Sequence, residues 1–141
     1  MRTLVACLAF AISAGPAAAA GQLALNCAGT VSTTEVPKGG VSSDPKVETV
    51  TDWSVIVDLE RRAVLGFWRD QNLVIEPLPI VAADANSVTF KADKKIPSKS
   101  IWGSVDRITA KVDVEETALA PNGNLTLQSY DFRCKPTRPL F

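Results

Sequence analysis

The stretch Arg107-Ile108-Thr109-Ala110-Lys111-Val112-Asp113-Val114-Glu115 alternates polar and apolar residues at every step. Successive side chains of a strand point to opposite faces. A period of two therefore assigns Ile108, Ala110, Val112 and Val114 to a core face and the intervening residues to water. The same period recurs outward in both directions. Leu23, Leu25 and Cys27 share one phase, as do Trp53, Val55, Val57 and Leu59, then Val88, Phe90 and Ala92, then Tyr130, Phe132 and Cys134. Residues 21–141 hold 14 Val, 6 Ile and 10 Thr, so 30 of 121 are β-branched. Such side chains are stiff at χ1 and fit a pleated, half-buried surface better than a helix. No stripe of period 3.6 competes, and the expected fold class is all-β.

Turn-forming clusters separate these runs. Residues 37–45 are rich in Pro, Gly and Ser, while Glu60-Arg61-Arg62, residues 69–72 and Asp84-Ala85-Asn86 punctuate the middle. Pro77-Leu78-Pro79 suits an edge strand, because proline cannot donate to a ladder. Pro121-Asn122-Gly123-Asn124 predicts a hairpin through a type I′ turn. The result is an antiparallel meander of seven or eight short strands.

The first twenty residues predict a secretory signal peptide. Arg2 precedes the apolar run Leu4–Ile12, Gly15 and Pro16 break it, and Ala18-Ala19-Ala20 offers a small-residue cleavage site. The apolar core is shorter than the ~20 residues needed to span a bilayer, so no stable membrane insertion is expected after cleavage. Residues 21–141 are then one domain in the periplasm or outside the cell, with 14 basic against 15 acidic residues. Two of the three cysteines remain, Cys27 and Cys134. In an oxidising compartment an even pair predicts a disulfide, the alternative being two buried thiols. One cysteine lies on the first strand and one on the last, both in core phase. A bridge would bring those strands together, which favours a closed barrel over a sandwich.

Composition also excludes chemistry. The chain has no His, which removes the Ser/His/Asp triad, the Cys/His pair and the His-ligated metal centre. A balance of 15 Lys plus Arg against 15 Asp plus Glu argues against nucleic-acid binding by phosphate neutralisation. No cofactor or metal is expected. The candidate polar site is the segment Gly103–Thr109. Carrying the core phase back from Ile108 turns Asp106, Ser104 and Trp102 inward, with Arg107 on the opposite face. An inward carboxylate must be hydrogen-bonded, so Asp106 either lines a ligand cavity or satisfies backbone donors at a strand bend. Ser43-Asp44-Pro45-Lys46 matches the S-x-x-K pattern of penicillin-recognising enzymes, but Pro45 lies inside it and no companion motif follows. Lys91, Lys94, Lys95 and Lys99 form a basic patch read as a solvated loop.

Three features occur in order: Leu25-Asn26-Cys27-Ala28-Gly29-Thr30, Gly103-Ser104-Val105-Asp106-Arg107-Ile108-Thr109, and Tyr130-Asp131-Phe132-Arg133-Cys134-Lys135-Pro136 with a terminal Leu140-Phe141. Together they resemble an uncharacterised group of small exported β-rich proteins of Gram-negative bacteria. The resemblance implies a periplasmic or secreted β domain and no activity. That group often has Gly after the Thr, where this chain has Ala110, which weakens the case for a turn there. The functional expectation is a non-catalytic binding or structural protein with a protein or small-molecule partner. It would act through a barrel mouth or the loops at residues 37–46 and 93–100. The competing readings are a small-molecule or lipid carrier with a barrel cavity, and a carboxylate-dependent enzyme centred on Asp106.

Overall fold

Eight antiparallel strands follow one another in the computed structural model: β1 (Gln22–Val36), β2 (Lys46–Asp58), β3 (Ala63–Arg69), β4 (Ile75–Ala83), β5 (Ser87–Lys95), β6 (Ser98–Asp106), β7 (Lys111–Leu119) and β8 (Leu125–Thr137). The structure describes residues 21–69, 75–95 and 98–137; the expected signal peptide at residues 1–20 lies outside them. Each strand pairs with its neighbour in sequence, and β8 returns to β1, so the meander closes into a barrel. The β1–β8 ladder runs unbroken from Ala24↔Thr137 to Val36↔Leu125. Within it Cys27 stands directly opposite Cys134, with Cα atoms 3.9 Å apart, and the two form the disulfide. The Cys134 N–H donates to Ala110 O rather than to β1. Cys134 is thus a non-hydrogen-bonded position of the β1–β8 ladder, where opposed side chains stand closest.

The alternating residues fill the interior. Leu25, Val55, Val57, Val64, Leu78, Val88, Phe90, Ile101, Val105, Val112, Val114 and Phe132 are fully buried. Burying a large apolar side chain contributes about 1.5–3 kcal/mol. Five aromatic rings from four strands interlock across the middle. Trp53 packs on Phe67, Tyr130 and Phe132, while Phe67 packs on Phe90 and Tyr130 at a ring-centroid distance of 5.6 Å in each case. Gly103 is the inward residue opposite Phe90, and a Cβ there would run into the Phe90 ring. The outward faces of β5, β7 and β8 carry Lys91, Asp93, Asp113, Glu115, Asp131 and Arg133 instead. A membrane-spanning barrel has the opposite pattern, an apolar exterior around a polar lumen.

Several sequence expectations change. Arg107–Ala110 is not strand but the β6–β7 turn, and Ile108 is 75% exposed. The core phase of β7 therefore cannot be carried back into β6, because a turn resets the parity. Ile101, Gly103 and Val105 point inward; Trp102, Ser104 and Asp106 occupy the opposite face. Ala110 has a φ of 56°, so the turn is present with alanine at a left-handed position. The prolines do not mark an edge, since a closed barrel has none. Ile80 donates toward β3, to Arg62 O. By alternation Pro77 and Pro79 direct their missing N–H toward β5, whose register with β4 is confined to Ile80–Ala83 among the described residues.

The hairpin at residues 120–124 is also not type I′. Gly123 donates to Ala120 O and has a φ of 87°, whereas Asn122 keeps a negative φ. A type I turn followed by a left-handed glycine bulge has this form. Residues 93–95 and 98–100 are not loop either: Lys91, Lys94 and Lys95 belong to β5 and Lys99 to β6.

Two outcomes follow. Replacing Cys27 and Cys134 together by Ala should lower unfolding free energy by about 2–5 kcal/mol in urea titrations, because the bond closes a loop of about 100 residues; an unchanged midpoint would remove the disulfide from the account of stability. Ala110→Gly should raise stability by about 1 kcal/mol, since glycine adopts left-handed backbone without the Cβ penalty. A neutral or lower midpoint would contradict the strained turn.

Candidate functional site

Three regions of the barrel concentrate polar side chains. The first is the end bearing the loops at 37–45 and 120–124, where the inward positions change from aromatic to polar. Continuing β7 inward from Val112 and Val114 reaches Glu116, buried at 8% exposure. Its Oε1 lies 3.5 Å from Lys99 Nζ, and its Oε2 accepts from the Tyr130 hydroxyl at 3.4 Å. Gln128, the next inward residue of β8, donates through Nε2 to Thr33 Oγ1 at 3.3 Å. Lys94 pairs with Glu76, and its Nζ sits 5.0 Å from the centre of the Trp68 ring. Burial, with the Glu116 carboxylate adding to it, pushes the Tyr130 phenol well above its ordinary range. These charges neutralise one another across the mouth and stopper the aromatic core.

The second region is the opposite end, where an aspartate opens each of the three hairpins. Asp58 Oδ1 accepts from Arg61 N at 2.9 Å. Asp84 Oδ1 accepts from Asn86 N and Ser87 N at 2.7 and 2.8 Å. Asp106 Oδ1 accepts from Ile108 N and Thr109 N at 2.8 and 2.9 Å. Asp58 and Asp106 are each followed, four residues on, by a left-handed residue, Arg62 (φ 52°) and Ala110. The two turns are thus built alike. Backbone N–H groups of Thr109 and Ile108 hold the Asp106 carboxyl below the ordinary aspartate value. Arg107 ties the neighbouring hairpin on, donating from Nη1 to Asp84 O at 2.5 Å and from its own N to Asn86 O at 2.8 Å. Between these turns and the core lies a pocket of about 310 Å³, lined mainly by Leu23, Val57, Leu59, Val88 and Val105. That volume is at the lower limit for small-ligand pockets.

The third region is the outer face of β6. Trp102 and Ser104 lie there, in phase with Asp106, so the structure brings three of the expected site residues onto one strand face, with Arg107 just beyond it in the turn. Trp102 is 47% exposed. Among the described residues every other aromatic ring belongs to the core cluster or packs against it. Register places Lys91 opposite Trp102 on one side and Glu115 on the other. The same row continues through Ser129 of β8 to Ser32 of β1. A depression of about 240 Å³ adjoins its β7–β8–β1 part, lined by Ser32, Thr34, Glu115, Glu116, Thr117, Leu127, Gln128 and Ser129, and Trp102 stands outside that lining.

Sequence reasoning missed Glu116, Gln128 and Tyr130 as a network, although extending the β7 and β8 phases by one step reaches the first two. It missed the row from Trp102 to Ser32 because only the register aligns those positions. No family model matches the chain, and neither a curated protein nor a solved structure matches it.

The folded Asp106 carboxyl lies below its ordinary value of 3.8, so its stabilising effect is complete above that pH and is lost as pH falls through the lower folded value. Asp106→Ala should therefore lower the urea midpoint at neutral pH, with the deficit shrinking in strong acid. A deficit independent of pH would detach the carboxylate from the turn.

Proposed function

We propose that the protein is an exported, non-catalytic binding module that meets its partner on the outside of the barrel, around Trp102. The observation that carries this reading is the distribution of aromatic rings: the interior is occupied by Trp53, Phe67, Phe90, Tyr130 and Phe132, and one indole faces water. Exposed tryptophan is a common anchor of binding surfaces, because it offers a large rigid area with a polar edge. A filled interior weighs against a lipid carrier. Asp106, engaged by two backbone donors, weighs against an enzyme built on that carboxylate. The disulfide supports an oxidising compartment, the periplasm or the outside of the cell.

The test is retention of partners from envelope extract and culture medium on the immobilised exported protein. A component whose retention falls about fivefold or more in Trp102→Ala, yet not in Val81→Ser on β4, is the expected result. Equal retention by both variants, or no retained component, would overturn the reading.

A further inference from the structure

We infer that the outer face running from Trp102 across β7 and β8 to β1 is a carbohydrate site, and that its ligand is an uncharged oligosaccharide of pyranose rings. The inference rests on the reading that the Trp102 face binds a partner, and it names the partner's chemistry.

A pyranose presents apolar C–H faces and a belt of hydroxyl groups. It requires one flat apolar surface beside a set of hydrogen-bonding side chains. The indole of Trp102 supplies the surface. The side chains next to it along the row are Glu115, Ser129 and Ser32, one on each successive strand. The adjoining row, Thr117, Leu127 and Thr34, places an apolar residue between two hydroxyls. Adjacent strands stand about 4.8 Å apart, so the row from β6 to β1 spans roughly 14 Å. A short oligosaccharide can follow it.

Charge selects within sugars. Glu115 is exposed and, among the described residues, takes part in no ion pair. Its carboxylate is free to accept two sugar hydroxyls. Lys91, opposite Trp102, is paired with Asp93 at 3.7 Å, and Lys111, on the strand of Glu115, with Asp113 at 2.8 Å. A uronate, a sulfated sugar or a phosphate would meet a carboxylate without a balancing cation. A peptide is less well matched, because Trp102, Glu115, Ser129 and Ser32 are each paired on both sides and offer no strand edge on which to extend a ladder.

The exported protein is titrated with cellotetraose and chitotetraose, with a tetragalacturonate as the charged control. Tryptophan fluorescence and amide chemical shifts are the readouts. Saturable binding of at least one neutral tetrasaccharide is expected, with shifts at Trp102, Glu115, Ser129 and Ser32 and weaker binding of the tetragalacturonate. Trp102→Ala should weaken binding about tenfold or more, and Trp102→Phe should restore most of it. Glu115→Ala gives a second, exposed substitution if the first variant is poorly folded; it should weaken binding about threefold. No binding of either neutral sugar, preference for the charged one, or binding that ignores both positions overturns the carbohydrate assignment. If Trp102-dependent retention of another component then persists, the ligand class alone falls; if that retention is absent too, the Trp102 face itself falls as a binding surface.

Discussion

Closure of β1 on β8 turns eight strands with two open edges into a cylinder. Every strand then has its inward and outward phase decided by the same enclosure. The continuous ladder from Ala24↔Thr137 to Val36↔Leu125 carries that closure, and the Cys27–Cys134 bond covalently fixes the register within it. A slip of one residue would turn Cys134, Phe132 and Tyr130 outward and bring Arg133 and Asp131 into the core. Gly29 belongs to the same constraint. A Cβ at this position would collide with the Asp131 carbonyl, so the close approach of β1 to β8 requires glycine there.

Enclosure also explains how polar and apolar residues are layered along the axis. The middle of the barrel is dry and aromatic, with Phe90 lying over Gly103 where a side chain on β6 would not fit. Toward one mouth the inward positions reach solvent, and the chain places Glu116, Lys99, Lys94, Glu76 and Gln128 there. A charge in that partly buried layer is costly unless matched, and each of the four ionised groups has an opposite partner. Toward the other mouth the inward residues stay aliphatic and leave a small pocket. On the outer surface an indole stands beside hydroxyls and the exposed carboxylate of Glu115.

The hairpins at the pocket end share one device, an aspartate that terminates a strand and gathers backbone N–H groups of the turn. This accounts for Asp106 in the same terms as Asp58 and Asp84. It also shows why the alternation through Arg107–Glu115 misleads. Ile108 and Thr109 continue the polar–apolar rhythm of β7, yet they lie in a tight turn whose last residue is left-handed. A turn of this kind inverts the phase, so Trp102 and Asp106 face outward and Gly103 faces in. Nothing in the local pattern distinguishes a strand from a turn that happens to alternate.

Local chemistry was enough for the all-β class, the core phases of β1, β2, β5, β7 and β8, the meander and the pairing of the two cysteines, but not for the core residues of β3, β4 and β6. Those features follow from side-chain period, β-branching and turn residues, all of which act over a few positions. The indole of Trp102 was visible as a residue but not as a surface, because its phase depends on the turn that follows β6. Glu116 and Gln128 were within reach of the β7 and β8 phases, but their contacts with Lys99 and Thr33 and the row Trp102–Glu115–Ser129–Ser32 depended on tertiary structure. They join residues up to 97 positions apart in the chain, and only the register of four strands, held by closure of the barrel, brings them level.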